Sequence, residues 1–330
     1  MGKVALWMYA DGLGWAMHGA FNPVTLCDAR ASDRTAMRSF HFFRKLMRRL
    51  TPILPARFPI SLDFYRTFGY IPRLRHAASF NELIQARKLL ENDRRFISYS
   101  DKVAVKDLVA SRLGRDWIIP TLHAGPHLPE SCEFPLPIVV KANHGSGWIA
   151  FVRSKNQQEW EQLRQVTARW MQTPWPKRSH EWWYNEIERK VLVEPLIGEG
   201  DLPDFKFFVF GGRAEFIQVD TDRFTDHKRA FYDRNWRKQE FSLGFPLEHR
   251  PMDAPPHLSA MINAAETLGR NFDFVRVDLY DLPSGPKFGE MTFSPGCGFE
   301  RFAPASMDYE FGKLWLAAAI ETTQSTGGGI

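Results

Sequence analysis

The chain has 330 residues, 44% of them hydrophobic and 25% charged, with a formal net charge of +5. That suits a globular protein with a sizeable core and argues against a disordered or fibrous chain. Three cysteines, Cys27, Cys132 and Cys297, form no CxxC pair, which argues against a disulfide framework or a cysteine-rich zinc site and points to a reducing compartment.

Residues 1–33 carry little pattern and read as an accessory leader. The apolar stretch Ala5–Ala10 has only Lys3 before it, too weak for a signal peptide. From Arg34 to Leu62 come Arg34, Arg38, Arg44, Lys45, Arg48, Arg49 and Arg57 with no acid among them. Phe40, Phe43, Met47 and Leu50 fall at 3, 4, 3 spacing, so this part predicts a basic amphipathic helix ending near Leu50, ahead of Pro52. Its basic face is either simply solvated or recruits an anionic membrane or polymer.

Helices are predicted over Phe80–Leu90 and from Ser100-Asp101, as N-cap, to Gly114. A proline-rich connection, Pro120–Pro137, leads to strands Pro137–Lys141 and Trp148–Arg153 around the loop Asn143-His144-Gly145-Ser146-Gly147. Asn156 caps a helix to Met171, and a strand follows from Lys190 to Leu196. Phe205–Phe210 and Arg213–Asp220 form a hairpin, because Gly211-Gly212 accept the positive φ of a tight turn. A helix over Pro255–Arg270 precedes two alternating strands, FVRVDLY (274–280) and the one carrying EMTFSPGCG (290–298). A C-terminal helix covers Met307 to Thr322. Strands pairing with sequence neighbours, interspersed with helices, predict an α+β fold with antiparallel sheets.

Two constellations carry chemistry. In IVVKANHGSG (138–147) a strand delivers Lys141 and a glycine-rich turn follows. Gly145 and Gly147 let backbone N–H groups approach a phosphate. The order differs from a P-loop, since the lysine precedes the glycines. The plain alternative is a hairpin turn beside a surface lysine. In the second constellation Asp278 and Glu290 face each other across strands, an arrangement that is repulsive unless something positive sits between. Hard oxygen ligands suit Mg2+ between carboxylates and phosphates. Thr292 lies on the same face as Glu290 and Arg276 on that of Asp278. A salt-bridge ladder is the plain alternative. Cys297 has no histidine partner and reads as no nucleophile, and Trp182-Trp183-Tyr184 reads as packing. Nothing matches a nucleic-acid-binding module, so no nucleic-acid partner is expected.

In order along the chain, YRTFGYIPRL, SFNELIQARKL, SDKVAVKDLVASRLG, VVKANHGSG, DFKFFVFGGR, YDRNW, FVRVDLY and GEMTFSPGCGF resemble the ATP-grasp superfamily, and within it the TupA-like branch, named for teichuronopeptide biosynthesis. The resemblance covers roughly Phe64 to Ala318. It implies an ATP-grasp fold, two α+β subdomains clamping ATP, and the cofactors ATP and Mg2+. It implies a pre-ATP-grasp region over 1–99 and an ATP-grasp domain over 100–330, with a glycine-loop subdomain at about 138–196 and a metal subdomain at about 197–322. Lys102, with Lys106 as alternative, and Lys141 resemble the phosphate lysines. Gly145, Ser146 and Gly147 resemble the phosphate loop, with His144 beside it on phosphate or substrate. Glu194 and the backbone of Pro195, Leu196 and Ile197 resemble the adenosine hinge. Asp204 resembles the ribose acid, or Lys206 points into the site. Arg229 or Lys228 resembles the γ-phosphate cation, Arg276 a cation on the transferring group, and Asp278, Glu290 and Thr292 the metal set. Thr292 stands where the family has asparagine. A hydroxyl has less reach, which leaves one or two Mg2+ open.

The activity so implied is a carboxylate–amine ligase working through an acyl phosphate and joining an amino acid or amine to a cell-surface polysaccharide or polypeptide precursor. An ATP-grasp kinase acting on a hydroxyl and a non-catalytic nucleotide- or polysaccharide-binding protein are the alternatives. A polyanionic acceptor, or peripheral membrane contact, would meet residues 34–57, with the protein cytoplasmic or at the inner face of the membrane.

Overall fold

The computed structural model describes residues 55–176, 179–198, 202–221 and 226–327. The basic helix expected within 34–50 lies outside them. In chain order the elements are α1 (Arg57–Phe68), α2 (Phe80–Leu90), α3 (Arg95–Ser100), α4 (Ala104–Leu113), β1 (His123–Gly125), β2 (Ile138–Ala142), β3 (Ile149–Val152), α5 (Gln157–Gln172), β4 (Val191–Pro195), β5 (Asp204–Phe210), β6 (Arg213–Thr221), β7 (Lys228–Asp233), β8 (Lys238–Gln239), β9 (Ser242–Leu243), α6 (Leu258–Gly269), β10 (Phe274–Tyr280), β11 (Lys287–Thr292), β12 (Phe302–Ala303) and α7 (Ser306–Gly327).

Local chemistry sets the ends of these elements. Ser79 caps α2 in a capping box, its hydroxyl accepting from the Glu82 N–H while the Glu82 carboxylate accepts from the Ser79 N–H. The Asn156 side chain accepts from the Gln158 and Glu159 N–H groups at the start of α5. Gly211 and Gly212, at φ 56° and 83°, turn β5 into β6. Of the elements of six residues or more, three show no clear sequence signal. The last residues of the basic segment start α1. At six residues α3 is too short to display a period. In β7, Arg229 and Phe231 share one face, so no polar–apolar alternation is visible there.

The strands form two main antiparallel sheets, one of four strands in the order β1-β4-β2-β3 and one of six in the order β11-β10-β5-β6-β7-β8. One face of the larger sheet, with Phe207, Val209, Ile217, Val275 and Val277, packs on Met261, Ala265 and Leu268 of α6. The other face is divided. Phe208, Phe210, Phe231 and Phe274 lie against Phe80 of α2 and Phe311 and Trp315 of α7. Farther along the same strands this face carries Lys206, Asp220, Arg229, Arg276 and Asp278, all on the side set by two-residue periodicity. The helices thus cover the apolar half and leave the charged half for other partners.

Helix α2, ahead of position 100, packs into this core. Arg87 of α2 is fully buried. Its guanidinium donates to the Phe274 carbonyl at 2.9 Å and the Phe293 carbonyl at 3.3 Å, pairs with Asp273, and stacks 4.2 Å over Trp315. Helix α7 crosses the start of α2 so closely that a Cβ on Gly312 would stand 2.0 Å from the Ala78 carbonyl oxygen. Gly312→Ala is therefore expected to pry the two helices apart and lower stability by about 1–3 kcal/mol, read as a lower urea midpoint with unchanged slope.

Candidate active site

Register brings the charged residues together. Asp278 of β10 pairs with Glu290 of β11 on one side and with Lys206 of β5 on the other. Asp204 opposes Asp220 of β6, which opposes Arg229 of β7. What sits between Asp278 and Glu290 is Arg276. Its Nε donates to Asp278 Oδ1 at 2.7 Å, and its Nη2 donates to Asp278 Oδ2 at 2.7 Å and to Thr292 Oγ1 at 3.2 Å. The same Nη2 stands 3.7 Å from Glu290 Oε1. Lys206 Nζ completes the set, pairing with Asp204, with Asp278 Oδ2 at 3.1 Å and with Asp220 Oδ2 at 3.9 Å. The bidentate guanidinium–carboxylate contact is the strong form of such a pair.

Asp278, Asp220 and Lys206 are kept ionised by their neighbours. Burial opposes the charged form of Asp278, but Arg276 and Lys206 outweigh it and hold the carboxyl below the usual range. Burial likewise works against Asp220, which Arg229, His227 and Lys206 hold far down. It also disfavours the Lys206 ammonium, which Asp204 and Asp278 nevertheless push up.

The smaller sheet supplies cations. Glu194 of β4 is buried, and it takes Lys106 Nζ at 2.5 Å on Oε1 and Lys141 Nζ at 2.8 Å on Oε2. Burial opposes the Glu194 carboxylate, and the two lysines overcome it and depress its pKa. Lys102 lies between the sheets. Its Nζ donates to the Gly145 carbonyl at 2.6 Å and stands 3.8 Å from Glu290 Oε2. Burial lowers its pKa, with Glu290 acting the other way. One ammonium therefore bonds to the glycine loop and stands within ion-pair reach of the carboxylate strand.

The loop Asn143–Gly147 has a buried root and an exposed tip, Ser146 and Gly147. Asn143 fastens the root, donating to Asp101 and to the Glu188 carbonyl, both at 2.9 Å, and accepting the Lys190 N–H at 2.7 Å. Gly145, at φ +104°, presses on Trp175, where an added Cβ would come within 2.2 Å of the ring. The Trp175 indole N–H donates to Glu181, which also accepts from Ser294 and from Cys297 at 3.5 Å. Burial and Glu181 push the Cys297 thiol far up, away from the thiolate form that a nucleophile needs.

The other expected site residues have these surroundings. His144 is fully buried 5.0 Å from the Trp148 ring, and burial holds its pKa down to about 4. Its Nδ1 lies 3.3 Å from Asn143 Oδ1, which ties the ring to the root of the loop. Glu194 holds two lysines, and the Leu196 N–H is occupied by the Pro137 carbonyl at 3.0 Å; of the expected hinge, Pro195 and Ile197 are partly exposed. Arg229 is buried and spans Asp220 at 2.8 Å, Glu300 at 3.0 Å and the Leu243 carbonyl at 2.7 Å. Lys228 pairs instead with Asp226 at 2.6 Å. Asp204 and Lys206, read as alternatives, both point into the cluster. Asp220 and Glu300 had no place in the sequence reading. A bulge in the β5–β6 register hides Asp220 from a reading of the alternation. Glu300, beyond the strand, left no signal.

The described residues contain no group of three or more histidine, cysteine or acidic side chains arranged for a metal ion, and none of their helices is long and apolar enough to cross a membrane.

A family model for TupA-like ATPgrasp matches residues 82–316. No curated protein matches the chain. Among solved structures, it is similar to D-alanine–D-alanine ligase from Bacillus anthracis complexed with ATP, at 17% identity and a TM-score of 0.42, covering 71% of this chain and 68% of that one. It is also similar to L-amino acid ligase from Bacillus licheniformis, at 12% identity and a TM-score of 0.37, covering 72% and 55%. A third is the ATP-grasp ligase PsnB complexed with minimal precursor, at 10% identity and a TM-score of 0.37, covering 89% and 77%. The family match runs from α2 through both sheets and the whole charged cluster into α7, and on that match the chain belongs to the TupA-like ATP-grasp family.

Proposed function

We propose that the protein is an ATP-dependent carboxylate–amine ligase, with ATP between the two sheets. The observation that carries this reading is Lys102, one ammonium within 2.6 Å of the glycine loop and 3.8 Å of Glu290. It brings a phosphate cradle and a carboxylate pair to a single locus. Family membership supports the nucleotide as ATP.

In this reading Lys102, Lys106 and Lys141 receive the phosphates and the glycine tip Gly145–Gly147 covers them. Glu194 holds two of the ammonium heads side by side, and Asp204 and the backbone of Pro195–Ile197 take the nucleoside. The donor chemistry around Asp278 and Glu290, two carboxylates and the Thr292 hydroxyl, fits a hard cation. These residues would hold Mg2+, which when bound supplies charge to the phosphates. A substrate carboxylate oxygen attacks the γ-phosphorus and the bond to the β,γ-bridging oxygen breaks, giving an acyl phosphate and ADP. An amine then attacks the acyl carbon; phosphate leaves with the bonding pair and the amine loses a proton. Arg276 offsets charge on the transferred group, and the sheets hold the reactants in line. Arg229, locked between Asp220 and Glu300, braces the far end of the cluster.

We assign the amine to an amino acid or small amine and the acceptor to a polyanionic cell-surface precursor. The family resemblance and the seven cations of residues 34–57 support this, and with it a place on the cytoplasmic side of the membrane. The test of the nucleotide site is Lys141→Ala. Losing a charge-assisted phosphate contact is expected to weaken ATP binding by about 1.5–3 kcal/mol, measured by calorimetry. Unchanged affinity would remove Lys141 from the site.

A further inference from the structure

We propose that Lys206 is a built-in cation that takes the place of one divalent ion, so that this site loads nucleotide with a single metal ion. The inference rests on the nucleotide reading above.

Lys206 stands in the middle of the sheet with strands on both sides and is 6% exposed. Its ammonium pairs with Asp204 and Asp278 and lies 3.9 Å from Asp220. Three buried carboxylates on one sheet face need positive charge among them to stay ionised. Here a lysine supplies it. Without that ammonium, Asp204, Asp220 and Asp278 would bring three negative charges into a buried space with Arg276 and Arg229 as the permanent cations beside them.

Counting oxygens leads to the same conclusion. Asp278 Oδ1 already accepts from Arg276, and Oδ2 accepts from Arg276 and Lys206. Asp220 Oδ1 accepts from Arg229 at 2.8 Å and Gln218 at 3.0 Å, and His227 Nε2 lies 3.2 Å away. Glu290 is the exception. Its nearest cations are 3.7 and 3.8 Å away, and its side chain is 39% exposed. Within the Asp278, Glu290 and Thr292 set, the oxygens still open to a hard cation are those of Glu290, the remaining lone pair of Asp278 Oδ1 and the Thr292 hydroxyl. That suffices for one Mg2+ shared with phosphate oxygens and water; a second ion would have to displace Lys206. A fixed ammonium also needs no loading step and stays in place when nucleotide leaves, so part of the charge that stabilises phosphoryl transfer is permanent.

The test counts Mn2+ by electron paramagnetic resonance, using the full chain with a non-hydrolysable ATP analogue whose binding is followed separately by calorimetry. The expected result is one Mn2+ per nucleotide-loaded chain for the wild type, rising to two for Lys206→Gln. Two Mn2+ in the wild type would overturn the proposal, as would one in a folded, analogue-binding Lys206→Gln variant. If that variant does not fold, the wild-type count decides alone. Failure of the analogue to bind the wild type would overturn the nucleotide reading and this proposal with it. Binding of the analogue with two ions would overturn only the proposal.

Discussion

Asp278→Asn is expected to lower folding stability by about 3–5 kcal/mol and to abolish ATP turnover, whereas Glu290→Gln abolishes turnover and leaves stability nearly unchanged. The two carboxylates are register partners, yet their surroundings differ. Asp278 is 2% exposed and receives three charged hydrogen bonds, two from Arg276 and one from Lys206. Removing its charge leaves a guanidinium and an ammonium in a buried space with too few acids, which is why breaking one side of a buried pair costs so much. Glu290 stands at the rim, partly exposed, with its cations beyond hydrogen-bond distance. Pairs of that kind contribute about 0–1 kcal/mol, so its amide should fold as the acid does. Urea unfolding and ADP release, measured on both variants, separate the structural carboxylate from the one reserved for the metal. Equal stability losses in the two would contradict this division.

Arg87→Met is expected to be nearly as damaging to the fold, at about 3–5 kcal/mol, although Arg87 touches no site residue. Its guanidinium serves two backbone carbonyls, Phe274 and Phe293, that lie at the start of β10 and just beyond the end of β11, and it pairs with Asp273. Methionine fills the volume and leaves those buried acceptors without donors. Arg87→Lys should recover only part of the loss, since one ammonium cannot reproduce a planar fork stacked on Trp315. Because Arg87 joins the strands that present Asp278 and Glu290, the surviving folded fraction should also turn over ATP more slowly. Denaturation midpoints with ADP release on the same preparations check both statements.

The strands and helices were legible where one period ran unbroken. Alternation in 274–280, the Asn156 cap and the double-glycine turn each placed an element to within a few residues. The pairing of Asp278 with Glu290 was legible for the same reason. Asp220 was not. The two-residue turn at Gly211-Gly212 pairs Phe210 with Arg213, and continuing that register would oppose Asp204 to Val219. A bulge where the register shifts after Phe208 instead brings Asp220 opposite Asp204. One extra residue moves a side chain to the other face of a strand, and nothing in GGRAEFIQVD marks where it falls. Lys106 was harder to weigh than Lys102, because its partner Glu194 comes from a strand about ninety positions later and only the assembled fold brings them to 2.5 Å. The burial of His144 was equally hidden: a histidine among glycines reads as a turn residue, and it is Trp148 and Trp175 beside the loop that draw its root into the core.

The measurement that tests the central claim most directly is product analysis of the full chain supplied with Mg·ATP, a carboxylate-bearing acceptor such as a uronic-acid oligomer, and hydroxylamine as the amine. A ligase working through an acyl phosphate gives ADP, phosphate and a hydroxamate in equal amounts, with none of the three formed by Glu290→Gln. ADP with a phosphorylated hydroxyl and no hydroxamate would contradict the account and identify a kinase.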